Sequence, residues 1–233
     1  MDVTDTGAAF SALHIIQAGR DFGIPIGHQF NPTVLARVLQ TRCQSRPDVP
    51  FDIWHIRDGI VPEDSLRGLG KPTVMLIPLR LGATHFNPDY CALIKASLAS
   101  PYSLGIIGGR SARAFYIVGY QDDSLLYLDP HLLQRTCTDM KEIVQSKQYH
   151  TRAVCELSWP QLDPTLLFGF LCRGPNEMEE LIRCLKAVSV PMPVFSFVQS
   201  RISEGEGEAV VFEELELIDD SPVPRTNEPE SCN

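Results

Sequence analysis

The sequence predicts an α+β domain followed by a polar tail, and three observations lead to that class. Apolar residues make up 44% of the 233 positions and charged residues 21%, which supplies enough apolar material for a real core. Strand-like and helix-like segments follow one another in irregular order rather than in strict alternation. After Gln199 the composition becomes acidic and then proline-rich. We therefore expect one domain over residues 1–200 and a disordered acidic tail over residues 201–233.

Helical spacing of apolar residues occurs in four segments of the domain. The first is a short segment over residues 8–18. The second is clearer, because Asn31 suits an N-cap, Pro32 suits the first turn, and apolar residues then recur at helical intervals. The same Asn-Pro start recurs at residues 87–88, and residues 176–188 form an amphipathic pattern with glutamates in the first turn. We expect a helix at each of these places.

Short apolar or alternating runs bounded by turn residues predict strands between and after the helices. They cover residues 51–56, a run from Thr73, and residues 103–110, 114–121, 124–128, 166–173 and 193–200. Asp122 and Asp123 suit the tight turn of a hairpin between the fourth and fifth of these strands. Pro78 lacks an amide donor, so it requires a bulge or an edge position in the second strand.

The composition argues against several classes of function. A net charge of −9 without a stripe of lysine or arginine argues against nucleic-acid binding. No segment reaches the roughly 20 apolar residues that span a bilayer, and the start of the chain has no secretory signal pattern. Seven scattered cysteines without a CxxC pair argue against a disulfide framework and a zinc site. We expect a reduced, cytoplasmic protein with no metal. Gly108-Gly109-Arg110 lacks a following helix, so no phosphate loop or other cofactor site is predicted.

The segment Asp129-Pro130-His131 directly follows the predicted strand over residues 124–128. Pro130 cannot donate to a sheet ladder, so the strand ends before it. Residues two apart in an extended chain point to the same side, so Asp129 and His131 can project into one cleft. Acyl transfer by a cysteine needs a histidine to take the thiol proton and a third group to orient that histidine. The alternative is an ordinary turn with a solvated Asp129 and a partly buried His131.

Several motifs share one family resemblance. They are PLRLG (78–82), SLGIIGGR (103–110), FYIVGY (115–120), YLDPHLLQ (127–134) and LDPTLLFGFLC (162–172), with a looser match over residues 26–40. Together they resemble the autophagins, a family of autophagy cysteine peptidases with a papain-like fold. The resemblance covers most of residues 10–200 in family order. It implies a Cys-His-Asp triad in which His131 is the general base and Asp129 orients it.

The same resemblance implies a substrate and a partner. Autophagins cut a ubiquitin-like autophagy modifier after a glycine near its C-terminus, and they release that modifier from phosphatidylethanolamine. The expected partner is therefore this modifier, both as the free precursor and as the phosphatidylethanolamine conjugate.

Three departures from the family pattern affect the expected activity. The family nucleophile stands in a Trp-Gly-Cys context, which this sequence lacks; its first cysteine is Cys43. Gln29 replaces a tryptophan that borders the cleft in the family, and Phe115 stands where a histidine is usual. We expect that the N-terminal segment with the nucleophile is missing and that this polypeptide alone does not cleave the modifier.

Three cysteines after the Asp-Pro-His segment are not expected to replace that nucleophile. Cys137 lies six residues after His131 on a predicted loop, where we expect an ordinary thiol. Cys172 lies in a predicted buried strand and Cys184 on a predicted helix, so both are expected to be inert core thiols. An alternative from another class is therefore a non-catalytic protein that binds the modifier through its surface and its tail.

The tail contains a second candidate site. Phe212 and Leu215 flank two glutamates in an acidic setting, in the stretch EAVVFEELELIDD. This pattern resembles the short motif by which autophagy proteins dock on the same modifier. An extended segment can add a strand to a sheet edge and insert two anchors into pockets. The alternative is a solvated acidic tail.

Overall fold

The structure, a computed structural model, describes residues 8–63, 70–132, 154–188 and 194–198. Contacts between residues divide the chain into Met1–Ser200 and Arg201–Asn233, and the described residues all lie in the first unit. The predictions for Cys137, Phe212, Leu215 and the tail lie outside the described residues and stay predictions.

Within the described residues, seven strands form one mixed sheet in the order β1-β3-β8-β4-β5-β6-β7. The edge pair β1–β3 is parallel, and the other neighbours are antiparallel. A short β2 pairs in parallel with β9 to form a separate ribbon. The strand bounds are β1 Asp52–His55, β2 Ile60–Pro62, β3 Thr73–Arg80, β4 Ser103–Arg110, β5 Arg113–Gln121, β6 Ser124–Leu128, β7 Cys155–Ser158, β8 Thr165–Cys172 and β9 Ser196–Val198.

A described helix lies at or beside each of the four predicted places, and the Asn-Pro start at residues 87–88 opens a 3-10 turn before the helix that begins at Cys91. Their bounds are α1 Ala12–Asp21, α2 Pro32–Gln44, α3 Cys91–Ala99 and α4 Pro175–Ala187, with short 3-10 turns at Arg57–Gly59, Pro88–Tyr90 and Trp159–Gln161. The amide of Val34 donates to Oδ1 of Asn31 at 2.8 Å, so Asn31 is the N-cap of α2 as predicted. The first helix is shifted from the predicted residues 8–18, because the hydroxyl of Ser11 caps it and sets its start.

The sheet is covered on both faces by helices, and alternate residues of β3 separate two apolar clusters. Met75 and Ile77 join the larger cluster, to which α3 and α4 contribute buried side chains. Leu76 points the other way and packs with Ala36 of α2. Mixed pairing with helices on both faces confirms the α+β prediction and is consistent with the papain-like fold that the resemblance implies.

Pro78 occupies a local edge position, as one of the two predicted alternatives requires. It pairs with Leu167 of β8 without a register shift, so the predicted bulge is absent from this pairing. On its other side, the pairing of β3 with β1 ends at Leu76. The missing amide donor of Pro78 therefore breaks no ladder between β1 and β3.

The predicted β5–β6 hairpin is confirmed, and it is the element that positions the candidate site. Gln121 pairs with Ser124 across the turn, where Asp122 adopts a positive φ of 49°. A register shift between Ile117 and Gly119 moves the rest of the hairpin by one residue. Strands β2 and β7, of three and four residues, are absent from the sequence prediction.

Candidate active site

The pair Asp129–His131 lies at the end of β6, immediately after Leu128. The Asp129 side chain is 4% exposed, whereas that of His131 is 48% exposed. The turn alternative expects a solvated aspartate and a partly buried histidine, and the burial in the structure is the reverse. A buried carboxylate beside a half-exposed imidazole leaves the ring accessible to a reacting group.

One oxygen of Asp129 holds both the backbone and the ring of His131. The backbone N–H of His131 donates to Oδ1 at 2.9 Å, and Nδ1 lies 2.7 Å from the same oxygen. An ionised carboxylate only accepts, so the proton between them belongs to Nδ1, and Nε2 is left to take a proton. The two side chains share one side, as predicted, but an Asx-type turn brings them together rather than an extended strand.

Arg113, on the neighbouring strand β5, binds the second oxygen of Asp129. Its Nη2 donates to Oδ2 at 2.8 Å. Burial by itself would raise the pKa of Asp129, but the hydrogen bonds from His131 and the positive charge of Arg113 hold that pKa below its ordinary value. The carboxylate is therefore ionised at neutral pH and has a partner on each oxygen, as a group that orients an imidazole requires.

The buried ring of Phe115 packs edge-on against the imidazole of His131. Its ring is 2% exposed, stacks on Tyr127 at 4.1 Å between centroids, and meets His131 edge-on at 6.3 Å and 88°. The guanidinium of Arg113 lies 5.6 Å from the centre of the same ring. Phe115, which departs from the family pattern, thus packs against the site rather than offering a second imidazole.

Sequence reasoning missed Arg113 as a site residue, although the hairpin contains a signal for it. The register pairs Tyr116 with Leu128. If that pairing is continued, Phe115 falls opposite Asp129 and Arg113 falls opposite His131. Counting back from the Asp122-Asp123 turn without the register shift would place Tyr116 opposite Asp129, so the sequence alone locates Arg113 only approximately.

We expect Arg113→Gln to raise the pKa of Asp129 toward its ordinary value, because the substitution removes a cation from Oδ2. A depressed folded-state pKa stabilises the protein above the unfolded-state pKa of about 3.9, and this contribution is lost as the pH falls through the folded-state value. At neutral pH the variant is expected to be less stable by up to about 1 kcal/mol, since Arg113 is half exposed. Toward strongly acidic pH, the two stabilities converge.

Urea unfolding across a pH series and a carboxyl-carbon NMR titration of Asp129 measure these two effects. Arg20→Gln, which removes an exposed arginine of α1, is the matched control and should show no such convergence. A stability gap that stays constant from neutral to acidic pH, with an unchanged Asp129 titration, contradicts the assignment.

The described cysteines differ in how far they could serve as nucleophiles. Cys172 is completely buried, and burial raises the pKa of its thiol to about 12. Burial also raises the pKa of Cys43, whose thiol donates to the carbonyl of Phe51. Both thiols are therefore protonated at neutral pH, which agrees with the expectation for Cys172. Cys184 is half-buried on α4.

Gln29, which stands where the family has a tryptophan, is exposed in the segment before α2.

The chain is similar to known cysteine proteases over most of its length. A model of the peptidase C54 catalytic domain matches residues 1–184. The cysteine protease ATG4D of Xenopus laevis is 29% identical over an alignment of 218 positions, which covers 87% of this chain and 46% of the relative. The cysteine protease ATG4C of Mus musculus is 29% identical over 234 aligned positions, which cover 92% of this chain and 51% of the relative. The cysteine protease ATG4A of Oryza sativa subsp. japonica is 30% identical over 231 aligned positions, which cover 82% of this chain and 48% of the relative. The chain thus spans about half the length of the curated relatives it matches.

Proposed function

The chain belongs to the peptidase C54 family, the autophagins, and on that premise we propose that Asp129 and His131 are the orienting acid and the general base of a cysteine peptidase site. The contact that carries the proposal is the 2.7 Å hydrogen bond between Nδ1 of His131 and Oδ1 of Asp129. It presents Nε2 for proton transfer, while Arg113 keeps the acid ionised.

The substrate that we propose is the ubiquitin-like autophagy modifier. The relatives are cysteine proteases by name, and the autophagin resemblance supplies the substrate class. The proposal includes cleavage of the free precursor, release of the modifier from phosphatidylethanolamine, and action in the cytoplasm. Every described helix is too short or too polar to span a bilayer.

The nucleophile that we propose is a thiol supplied by a separate Trp-Gly-Cys segment, and not by one of the cysteines of this polypeptide. A cysteine served by His131 needs its sulfur within hydrogen-bond reach of Nε2 and a thiol that ionises readily. Cys43 and Cys172 do not meet the second requirement, because burial raises both pKa values. In the family, the thiol belongs to a Trp-Gly-Cys segment, so we propose that the 233-residue polypeptide alone does not cleave the modifier.

The test is incubation of the purified polypeptide with the precursor modifier, with and without a separately expressed family segment that carries Trp-Gly-Cys. Cleavage is expected only when the segment is present. The matched control is the same segment with serine in place of that cysteine, which should restore binding without restoring cleavage. Cleavage by the polypeptide alone, abolished by Cys137→Ser, would overturn the proposed external thiol and place the nucleophile in this chain.

The second candidate function is non-catalytic binding of the modifier, and it rests on the Phe212 and Leu215 pattern in the tail. The same incubation distinguishes it from the first. If no combination cleaves while the modifier still binds, and Phe212→Ala with Leu215→Ala weakens that binding, the binding function stands and the peptidase proposal fails.

A further inference from the structure

The ring of Phe115 is held firmly in the core beside the Asp129–His131 pair. It is 2% exposed and stacks on the ring of Tyr127, with 4.1 Å between centroids and 22° between planes. It also packs directly on the backbone of Gly109 in β4, because a Cβ added to that glycine would lie 2.8 Å from Cδ2 of Phe115. A close-packed ring with these neighbours has little freedom to move.

The ring of His131 is less enclosed. Its side chain is 48% exposed, and its hydrogen bond to Oδ1 of Asp129 anchors the ring at one atom, Nδ1. One hydrogen bond by itself leaves the plane of an imidazole, and so the direction of Nε2, free to vary. Water at a half-exposed ring also competes for the Nδ1 proton. Because a base that takes a proton from a thiol needs its accepting atom in a fixed direction, a second contact with the ring matters.

Phe115 supplies such a second contact with the imidazole. The centroids of the two rings are 6.3 Å apart, with 88° between the planes. This is an edge-to-face arrangement, which aromatic rings prefer because the positive edge of one ring meets the negative face of the other. A phenyl ring has no N–H or O–H group, so Phe115 contacts the imidazole without competing for the oxygens of Asp129.

We propose that Phe115 is a positioning residue for the base: its fixed ring holds the imidazole plane of His131, so that Nδ1 stays on Asp129 and Nε2 keeps one direction. The effect on catalysis rests on the proposed function of His131. The effect on the ring does not, because it is measured without any cleavage. Phe115 itself is buried and is not expected to touch the modifier.

The alternative is that Phe115 only fills the core. Phe86 is the matched control, because it is also buried, belongs to the same apolar cluster, and stacks on Trp159 with 5.8 Å between centroids. Phe115→Leu and Phe86→Leu each remove one stacked phenyl ring from this core. Both are expected to lower the urea midpoint of unfolding, but only the first removes the ring contact with His131.

The first test follows the ring nitrogens of His131 by NMR in the polypeptide alone. Their chemical shifts distinguish the two neutral tautomers of an imidazole, and His131→Ala identifies the signals. The wild type is expected to carry the proton on Nδ1. In Phe115→Leu the signals should move toward an average of the two tautomers, and the Nδ1 proton should exchange with water about two- to tenfold faster, the factor that one aromatic pair supplies. Phe86→Leu should change neither.

Phe115→Met is the second variant, in case the leucine variant does not fold. Methionine fills irregular apolar space without a ring, so the core is kept while the edge-to-face contact is lost. It is expected to change the His131 signals as Phe115→Leu does. Wild-type His131 signals in a folded Phe115 variant, or an equal change in Phe86→Leu, overturn the proposal.

The second test measures cleavage by the polypeptide mixed with the Trp-Gly-Cys segment. Phe115→Leu is expected to lower kcat by about two- to tenfold with KM unchanged, and Phe86→Leu to leave both unchanged. A rise in KM with kcat unchanged contradicts the positioning role. If no mixture cleaves, the proposed function fails, and the NMR comparison still decides whether Phe115 holds the ring.

Discussion

His131→Ala is expected to lower kcat for modifier cleavage by about 10⁴-fold or more when the polypeptide is mixed with the Trp-Gly-Cys segment. The reason is that the three members of a triad act as a unit, so loss of one removes most of their joint catalysis. The ring of His131 is accessible, and the side chain of Asp129 beside it is buried. Asp129→Asn is expected to cost a comparable factor, because an amide can stabilise the wrong tautomer of the imidazole. Initial rates at saturating modifier measure both effects.

Two controls separate this loss of chemistry from a loss of structure. His85 is an exposed histidine whose ring contacts Thr84, so His85→Ala should leave the rate unchanged. Added imidazole should partly restore the rate of the His131→Ala variant, because it can occupy the space of the missing ring and accept the thiol proton. A His131→Ala variant that retains the wild-type rate would exclude His131 as the base.

Phe168→Ala is expected to cost about 3–5 kcal/mol of unfolding free energy, the usual range for removal of a buried phenyl ring. Phe168 is completely buried in β8, where its neighbours across the strand pairings are Ile77 and Ile106. Domains of this size are commonly stable by only about 5–15 kcal/mol, so the variant loses a large share of its stability. Urea unfolding followed by circular dichroism gives the change as a shift in the midpoint.

The matched control for this prediction is Val118→Ala on β5. Val118 is 38% exposed and lies at the register shift of the hairpin, so its loss should cost less than about 1 kcal/mol. A cost below about 1 kcal/mol for Phe168→Ala would mean that β8 is not the centre of the core. Because β8 supports β4, and β4 supports the β5–β6 hairpin, the same variant should also lose the catalytic geometry.

The sequence was most informative where the physical signal is local. Asn31 caps α2 because a side-chain oxygen can reach a nearby amide wherever the helix lies in the fold. The Asp122-Asp123 turn defines the hairpin in the same way, from a few adjacent residues. Asp129 and His131 were identified as a candidate pair because they are two residues apart, and the structure brings them within 2.7 Å through an equally local turn.

Only the tertiary structure decided what surrounds that pair. The sequence does not show that Asp129 is buried, that Arg113 binds its second oxygen, or that Phe115 packs against the imidazole. These contacts depend on the register of β5 against β6, which a single bulge shifts by one residue. A cavity lined by Arg37, His55 and Arg57 likewise joins residues of α2, the end of β1 and the turn after it, which no spacing rule connects. Local rules fix turns and caps, whereas burial and charge around a site follow from strand register and packing between segments distant in the sequence.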